Sequence, residues 1–330
     1  MKIGKVPQTV LKRSMLKPLQ FHRDEALFHP SVEEMCYGVR VAEGEHVVAT
    51  TTVLYGNEKD LCVFALAQAI NDLASRGVKA VGVSIHIMLP PYAYESRLKS
   101  MVEYAEAAAK EQGIEILNAK AEVSPATRCA IVSVNAIGIV KDEELVRSNM
   151  AKAGQDIVLL KWIGLDGTLR IMREKEEELK ERFVPGFLHQ AEQLKQFLFS
   201  PKELKVAEKF GVSSMHQITS GGVFAALWEL CESANIGMEV ELQRLAIRQE
   251  TIEICEFFHL NPYQLTSVGS VLITTDNGEE LVDHLSREGI PATLVGKTTK
   301  EKAKVILGGE EKRFLDRPAP DELVKIFDIV

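Results

Sequence analysis

A Thr-Ser-Gly-Gly turn that opens directly onto an apolar helix is the feature that most restricts how this chain can fold. Residues 216–230 read HQITSGGVFAALWEL. Gly221 and Gly222 lack a Cβ atom, so a ligand can come close to the backbone there. Thr219 and Ser220 supply hydroxyl groups, and the free N–H groups of the following helix attract an anion such as phosphate. Helix capping without any ligand explains the same residues, so both interpretations stay open.

The length of the chain predicts two domains. Its 330 residues exceed the usual size of one domain, which is about 150 residues. Hydrophobic residues make up 46% and charged residues 26%, as in an ordinary globular protein with enough apolar material for two cores. A polar stretch at 141–153 suggests domains at 1–149 and 150–330, with the boundary near Asn149. The net charge of −8 argues against a broad nucleic-acid-binding face.

The sequence also predicts a cytoplasmic protein that does not span a membrane. Basic residues near the N-terminus are not followed by the apolar segment of a signal peptide. The apolar run at 157–165 is short and is interrupted by Lys161. The cysteines lie far apart and form no CxxC motif, which fits a reducing compartment. They are Cys36, Cys62, Cys129, Cys231 and Cys255.

Hydrophobic periodicity predicts mixed helices and strands in both halves. In the first half, strands are expected at 47–54, 78–89, 114–123 and 128–140, and helices at 60–76 and 95–112. In the second half, strands are expected at 156–163, near 238–242, at 270–275, 292–295 and 304–307. Helices are expected between 164 and 210, after the Gly221-Gly222 turn, and at 249–258 and 278–288. The elements do not alternate as strict βαβ units, which favours an α+β fold over a doubly wound sheet.

Two acids on one predicted helix are candidate metal ligands. Asp60 and Asp72 are twelve residues apart in the segment DLCVFALAQAINDLA, which is otherwise mostly apolar. Carboxylates inside such a helix are costly unless they are paired or bind a metal. Alternatively, Asp60 caps the helix and Asp72 pairs locally.

Established catalytic motifs are missing from the sequence. There is no GxSxG elbow, P-loop, HExxH helix or GxGxxG following a strand. The eight histidines are scattered and are interpreted as structural or exposed, and the charged run at 173–182 as a solvated helix face. The catalytic residues therefore stay unknown at this stage.

Four segments of the chain resemble one known superfamily. They are residues 60–80, 219–237, 248–273 and 289–297, and the third resembles the AIR-synthase-related subgroup. The superfamily contains aminoimidazole ribonucleotide (AIR) synthetase, the hydrogenase-maturation dehydratase, thiamine-monophosphate kinase and selenophosphate synthetase. The resemblance implies an N-terminal domain that dimerises through its sheet and a C-terminal α+β domain. It further implies ATP between them and Mg²⁺ held by carboxylates.

This resemblance assigns site residues by position. Asp60, Asp72 and Glu34, which lies in the segment VEEMC, are the expected metal ligands. The residues expected to contact the nucleotide are Asn71, Lys120, Thr219, Ser220, Gly221 and Gly222.

The sequence departs from the superfamily at several of its acids. Thr50, Thr51 and Thr52 stand where an Asp follows the second strand, and Gln217 or Ile218 stands for the Asp before the Thr-x-Gly-Gly turn. A glycine-rich turn is replaced by residues 118–121, which include Lys120. That lysine either points to solvent or contacts phosphate in place of the missing metal charge.

The function expected from these features is nucleotide binding in a homodimer. Phosphoryl transfer to an amide-like or other small-molecule acceptor would make the protein an ATP-dependent enzyme of the ligase or kinase type. The given sequence ends IFDIV, without the terminal cysteine of the hydrogenase-maturation dehydratase, so that particular activity is not expected. The alternative is a non-catalytic paralogue with a degenerate ATP site that binds a metabolite or a partner protein.

Overall fold

The computed structural model describes residues 4–27, 30 and 38–327. Contacts divide the chain into two compact units, of which the first contains Met1–Leu73 and Val78–Leu145. The second contains Ala74–Gly77 and Val146–Val330, so this division falls slightly before the Asn149 boundary expected from the sequence. Among the described residues, no helix combines the length and apolar character needed to cross a bilayer.

Within the described residues, the first unit contains a five-stranded sheet. Its strands are β1 (Gly4–Lys5), β2 (Glu45–Gly56), β3 (Lys79–Leu89), β4 (Glu115–Val123) and β5 (Ala130–Lys141). They lie in the order β1-β4-β3-β5-β2; β3 and β4 pair in parallel, and the other neighbours pair antiparallel. The helices are α1 (Gln8–Leu11), α2 (Leu61–Ala74) and α3 (Glu95–Glu111). Because α3 joins the parallel strands β3 and β4, this part of the chain is a single βαβ unit.

The two faces of this sheet differ in burial. Along β5, Ala130, Val132 and Val134 are fully buried, whereas the residues between them are only half-buried. On the same face as those half-buried residues, Val53 and Tyr55 of β2 are 58% and 38% exposed. One face of the sheet therefore belongs to the core, and the other presents apolar side chains to the surface.

The second unit contains a seven-stranded sheet in the described part of the chain. Its strands are β6 (Asp156–Leu160), β7 (Ser214–Gln217), β8 (Gly237–Glu241), β9 (Val271–Thr275), β10 (Ala292–Thr299), β11 (Lys304–Gly308) and β12 (Glu311–Phe314). The order is β12-β11-β8-β10-β6-β9-β7, with β8 and β11 parallel. The helices are α4 (Leu165–Glu174), α5 (Glu176–Arg182), α6 (Pro185–Glu192), α7 (Pro201–Phe210), α8 (Gly222–Ala234), α9 (Gln249–Phe257) and α10 (Gly278–Arg287).

Strand β6 explains why this second sheet carries helices on both faces. Ile157 and Leu159 belong to a core cluster that includes Val223 of α8. Val158 and Leu160 belong to a different cluster on the opposite face. A strand buried on both faces reads as a continuous apolar run, which is what the sequence shows at this position.

The α+β fold predicted from the sequence is confirmed, with corrections to individual elements. Strands β1, β7 and β12 are not predicted by the sequence pattern, because they are short and carry few apolar residues. The strand expected at 156–163 ends at Leu160, where Lys161 takes a left-handed conformation with φ of 63°. The helices expected between residues 164 and 210 are α4, α5, α6 and α7.

Lys161 is a buried cation whose ammonium group is held by several oxygen atoms. The residue is 1% exposed, and burial lowers the pKa of its amine, opposed by the nearby carboxylate of Glu203. The Nζ atom donates to oxygens at 2.9 to 3.0 Å from Phe197, Phe199, Ser200 and Glu203. Lys161 therefore ties the end of β6 to the segment between α6 and α7.

We expect Lys161→Met to lower the free energy of unfolding by about 3 kcal/mol, because it leaves buried oxygen atoms without their charged donor. Methionine is unbranched and carries the same left-handed backbone cost as lysine, so the change isolates the ammonium group. Urea denaturation measures the difference. Lys180→Met, at a side chain 52% exposed on α5, is the control and should leave stability nearly unchanged. Equal effects of the two substitutions would contradict the assigned role of Lys161.

Candidate functional site

Asp60 and Asp72 lie at opposite ends of α2. Asp60 directly precedes the helix and is 6% exposed, Asn71 near the other end is fully buried, and Asp72 is half-buried. At 1.5 Å per residue, twelve helical residues span about 18 Å. Oxygen ligands lie about 2.1 Å from Mg²⁺, so these two carboxylates of one chain cannot bind the same ion.

A complete magnesium site is not found in the described part of one chain. The described residues contain no group of three or more His, Cys, Asp or Glu side chains that could hold a metal ion. Glu34, the third expected ligand, lies outside the described residues. Thr52, where the superfamily has an Asp, is 2% exposed and supplies a neutral hydroxyl. The described residues therefore do not fit a Mg²⁺ ion bound jointly by Asp60 and Asp72.

Lys120 lies on a strand and not in a turn. Residues 118–121 are part of β4, where Lys120 is exposed and opposite His86 of β3. Next to it, Glu122 and the Nε2 atom of His86 are 2.8 Å apart. Two strands separate β4 from β2, the strand that leads to Asp60, so β4 and β2 are about 14 Å apart across the sheet. Lys120 and Asp60 are therefore not brought together within this unit.

Thr219, Ser220, Gly221 and Gly222, here called the glycine turn, connect β7 to α8 in the second unit. Gly221 and Gly222 have φ angles of 84° and 67°, which favour glycine strongly. A Cβ on Gly222 would lie 2.5 Å from the carbonyl oxygen of Tyr263. The sequence suggests that a ligand comes close to the backbone at Gly222. In the structure, the protein's own backbone occupies that space.

A carboxylate of the protein itself is hydrogen-bonded to the glycine turn. The Gly221 N–H donates to Oδ2 of Asp321 at 2.7 Å, and the Leu323 N–H donates to Oδ1 of the same carboxylate at 2.8 Å. Asp321 is 8% exposed, and burial raises its pKa. The amide of Gly221 is therefore directed at a negatively charged group, as the helix N-terminus favours.

Asp166 is a second buried acid near Asp321. It is 1% exposed and accepts hydrogen bonds from the Val268 N–H at 2.6 Å and the Thr266 hydroxyl at 3.1 Å. Burial raises its pKa to about 7, with the nearby guanidinium of Arg170 opposing the shift and the charge of Asp321 adding to it. Carboxyl groups with such raised pKa values occur preferentially at functional sites.

Sequence reasoning missed both of these acids. Asp321 follows Pro320 and precedes a short 3₁₀ helix, Glu322–Lys325, which is a recognisable capping position. Its contact with Gly221 joins residues far apart in the chain, and no local pattern reports that. Asp166 lies in the first turn of α4, where an acid is common and attracts no notice.

The fold and these features define a two-domain α+β protein with a carboxylate held at a glycine turn. The model of the AIR synthase related protein, N-terminal domain, matches residues 33–140, and that of the C-terminal domain matches residues 152–308. The chain therefore belongs to the AIR synthase-related family.

Individual proteins of known description are also similar to the chain. A putative hydrogenase expression/formation protein of Methanocaldococcus jannaschii is 24% identical over 98% of this chain and 97% of that protein. The crystal structure of E. coli HypE, a hydrogenase maturation protein, has a TM-score of 0.79 at 18% identity, covering 97% of this chain and all of that one. A HypE in complex with ATP has a TM-score of 0.73 at 15% identity, covering 97% and 96% of the two chains. At these identities the structural likeness concerns the fold alone.

We expect Asp166 to make stability depend on pH. Its pKa is raised from the ordinary aspartate value of 3.8 to about 7 in the folded protein, so between these pH values the folded state binds the proton more tightly than the unfolded state does. The stabilisation is complete below about pH 4 and is lost as the pH rises to about 7, by no more than about 4 kcal/mol. Urea denaturation of the wild type and Asp166→Asn from pH 4 to 8 measures this, since asparagine cannot ionise. Parallel stability profiles for the two proteins would contradict the raised pKa.

Proposed function

We propose that this protein binds a nucleotide or a related phosphate-bearing metabolite, with the glycine turn receiving a phosphate group. The observation that carries the proposal is the hydrogen bond from the Gly221 N–H to the Asp321 carboxylate. A phosphate oxygen is an acceptor of the same charge sign as a carboxylate oxygen, so the same amide can hold it. The related HypE solved with ATP supports a nucleotide as the ligand.

The reaction proposed for this site is phosphoryl transfer from ATP to a small-molecule oxygen acceptor, with ADP as the leaving product. Contacts of five further residues with the nucleotide or its metal remain predictions from the sequence. These residues are Asp60, Asn71, Asp72, Glu34 and Lys120. Since the described residues of one chain do not fit a shared Mg²⁺ ion, no step is assigned to that ion here.

The second candidate function is a non-catalytic paralogue that keeps the binding cleft. The distance of about 18 Å between Asp60 and Asp72 along α2 favours it, because these two acids of one chain cannot together hold a Mg²⁺ ion that would neutralise a triphosphate. ATP binding without hydrolysis or transfer to any acceptor would support this candidate. Turnover that requires Mg²⁺ would support the enzyme.

We expect ATP to bind, and Ser220→Ala to weaken that binding about 5-fold, because the exposed hydroxyl at the glycine turn contributes roughly 1 kcal/mol to the phosphate contact. Titration calorimetry in Mg²⁺, repeated in EDTA, measures both affinities. Ser233→Ala, near the other end of α8, is the matched control and should leave ATP affinity unchanged. Failure of the wild-type chain to bind ATP or pyrophosphate under either condition would contradict the proposed function.

We also propose that the protein is a cytoplasmic homodimer that associates through the exposed face of the first sheet. Val47 and Val53 are 53% and 58% exposed there, and Tyr55 lies on the same face. Exposed apolar side chains on one face of a sheet favour burial of that face against another molecule. Its position fits the sheet-mediated dimer that the family resemblance implies.

Light scattering at micromolar concentration should therefore give the mass of a dimer for the wild type. Val53→Asp should shift the mass towards a monomer, because it would bury an unpaired charge in the interface. Val184→Asp is the control, since Val184 is 70% exposed but lies in the second unit. A monomeric wild type, or an unchanged dimer in Val53→Asp, would count against this interface.

A further inference from the structure

Residues 316–327, here called the C-terminal clasp, are held within the second unit by the buried residues 321–323 and 326, whereas residues 316–320 are exposed. Leu323 and Ile326 are 4% and 3% exposed. The Asn261 N–H donates to Oε2 of Glu322 at 3.1 Å, which fixes the 3₁₀ helix to the segment after α9. The clasp is therefore an ordered part of the second unit.

The clasp reaches the glycine turn with both a side chain and its backbone. Asp321 accepts the Gly221 N–H, as described above. The carbonyl oxygen of Ala319 lies 3.2 Å from the position that a Cβ on Gly221 would occupy. The clasp therefore occupies the side of Gly221 from which an anion would reach its amide.

A cavity of about 230 Å³ lies beside this contact, and the clasp forms part of its wall. Gly221 and Phe224 line it from the start of α8, and Arg317 and Ala319 line it from the clasp. Arg313 of β12 also lines it. The guanidinium group of Arg317, and that of Arg313, which is ion-paired with Glu311, can donate hydrogen bonds to a phosphate-bearing ligand in this cavity, which Asp316 also lines.

We propose that the C-terminal clasp is an intramolecular competitor of the ligand, in which the Asp321 carboxylate occupies the phosphate position of the glycine turn. This inference rests on the proposed function, because it concerns the same turn. A phosphate group displaces the carboxylate from the Gly221 amide, and the clasp is released as the ligand binds. The apparent affinity is lower than the intrinsic affinity by the fraction of molecules whose clasp is open.

The test uses the full chain and sodium pyrophosphate as the probe in titration calorimetry. Asp321→Ala removes the competing anion, so its dissociation constant should be at least about 10-fold lower than that of the wild type. Glu310→Ala is the control: it removes an exposed acid of the turn between β11 and β12 that does not line the cavity, and it should leave the affinity unchanged. Similar circular dichroism spectra and unfolding midpoints verify that the variants are folded.

Hydrogen exchange of the wild type provides a measurement that needs no variant. Saturating pyrophosphate should speed exchange of the Leu323, Val324 and Ile326 amides, which are hydrogen-bonded within the closed clasp. Equal or weaker binding by folded Asp321→Ala, or unchanged exchange in pyrophosphate-saturated wild type, overturns the clasp inference while the proposed function stands. Absence of both pyrophosphate and ATP binding in the wild type overturns the proposed function and the clasp inference together.

Discussion

The hydrogen bond between the Gly221 amide and the Asp321 carboxylate joins the start of α8 to the C-terminal clasp, and the proposed site depends on it. It fixes the start of α8, and α8 supplies Val223 and Leu227 to the core against β6. It also anchors the chain after β12, which otherwise has short and exposed connections. Two glycines in the left-handed region allow this geometry, because a Cβ on either would meet neighbouring atoms.

Helix α2 imposes a comparable constraint on the first unit. A helix is a rigid spacer, and this one holds Asp60 and Asp72 about 18 Å apart. Its interior position, with Asn71 fully buried, leaves little freedom to change that separation. The acids that survive from the family pattern are therefore fixed in position by packing.

Elements with strong periodicity were predictable from the sequence, and contacts between distant residues were not. The apolar runs and amphipathic segments of β3, β5, α3 and α8 match the structure closely, since burial on one or both faces leaves a pattern. Lys120 shows the limit of alignment to a family. The family resemblance places a turn at its segment, whereas the segment continues β4, as the strand pattern at 114–123 predicts. Asp321 and Lys161 gain their roles from partners far along the chain, which single-sequence patterns do not report. The distance between Asp60 and Asp72, in contrast, follows from the sequence once the helix is accepted.

The position of β6 inside the second sheet, between β10 and β9, has a consequence for how the protein folds. Ile157 pairs with Thr274 on one side, and Leu159 pairs with Thr293 on the other. Both partner strands, β9 and β10, are synthesised long after β6. The apolar side chains of β6 therefore stay uncovered until these strands have been made. Non-local pairing of this kind slows folding and prolongs exposure of aggregation-prone surface. The described strands of the first sheet have all been made by Lys141, so we expect this sheet to form earlier than the sheet of the second unit.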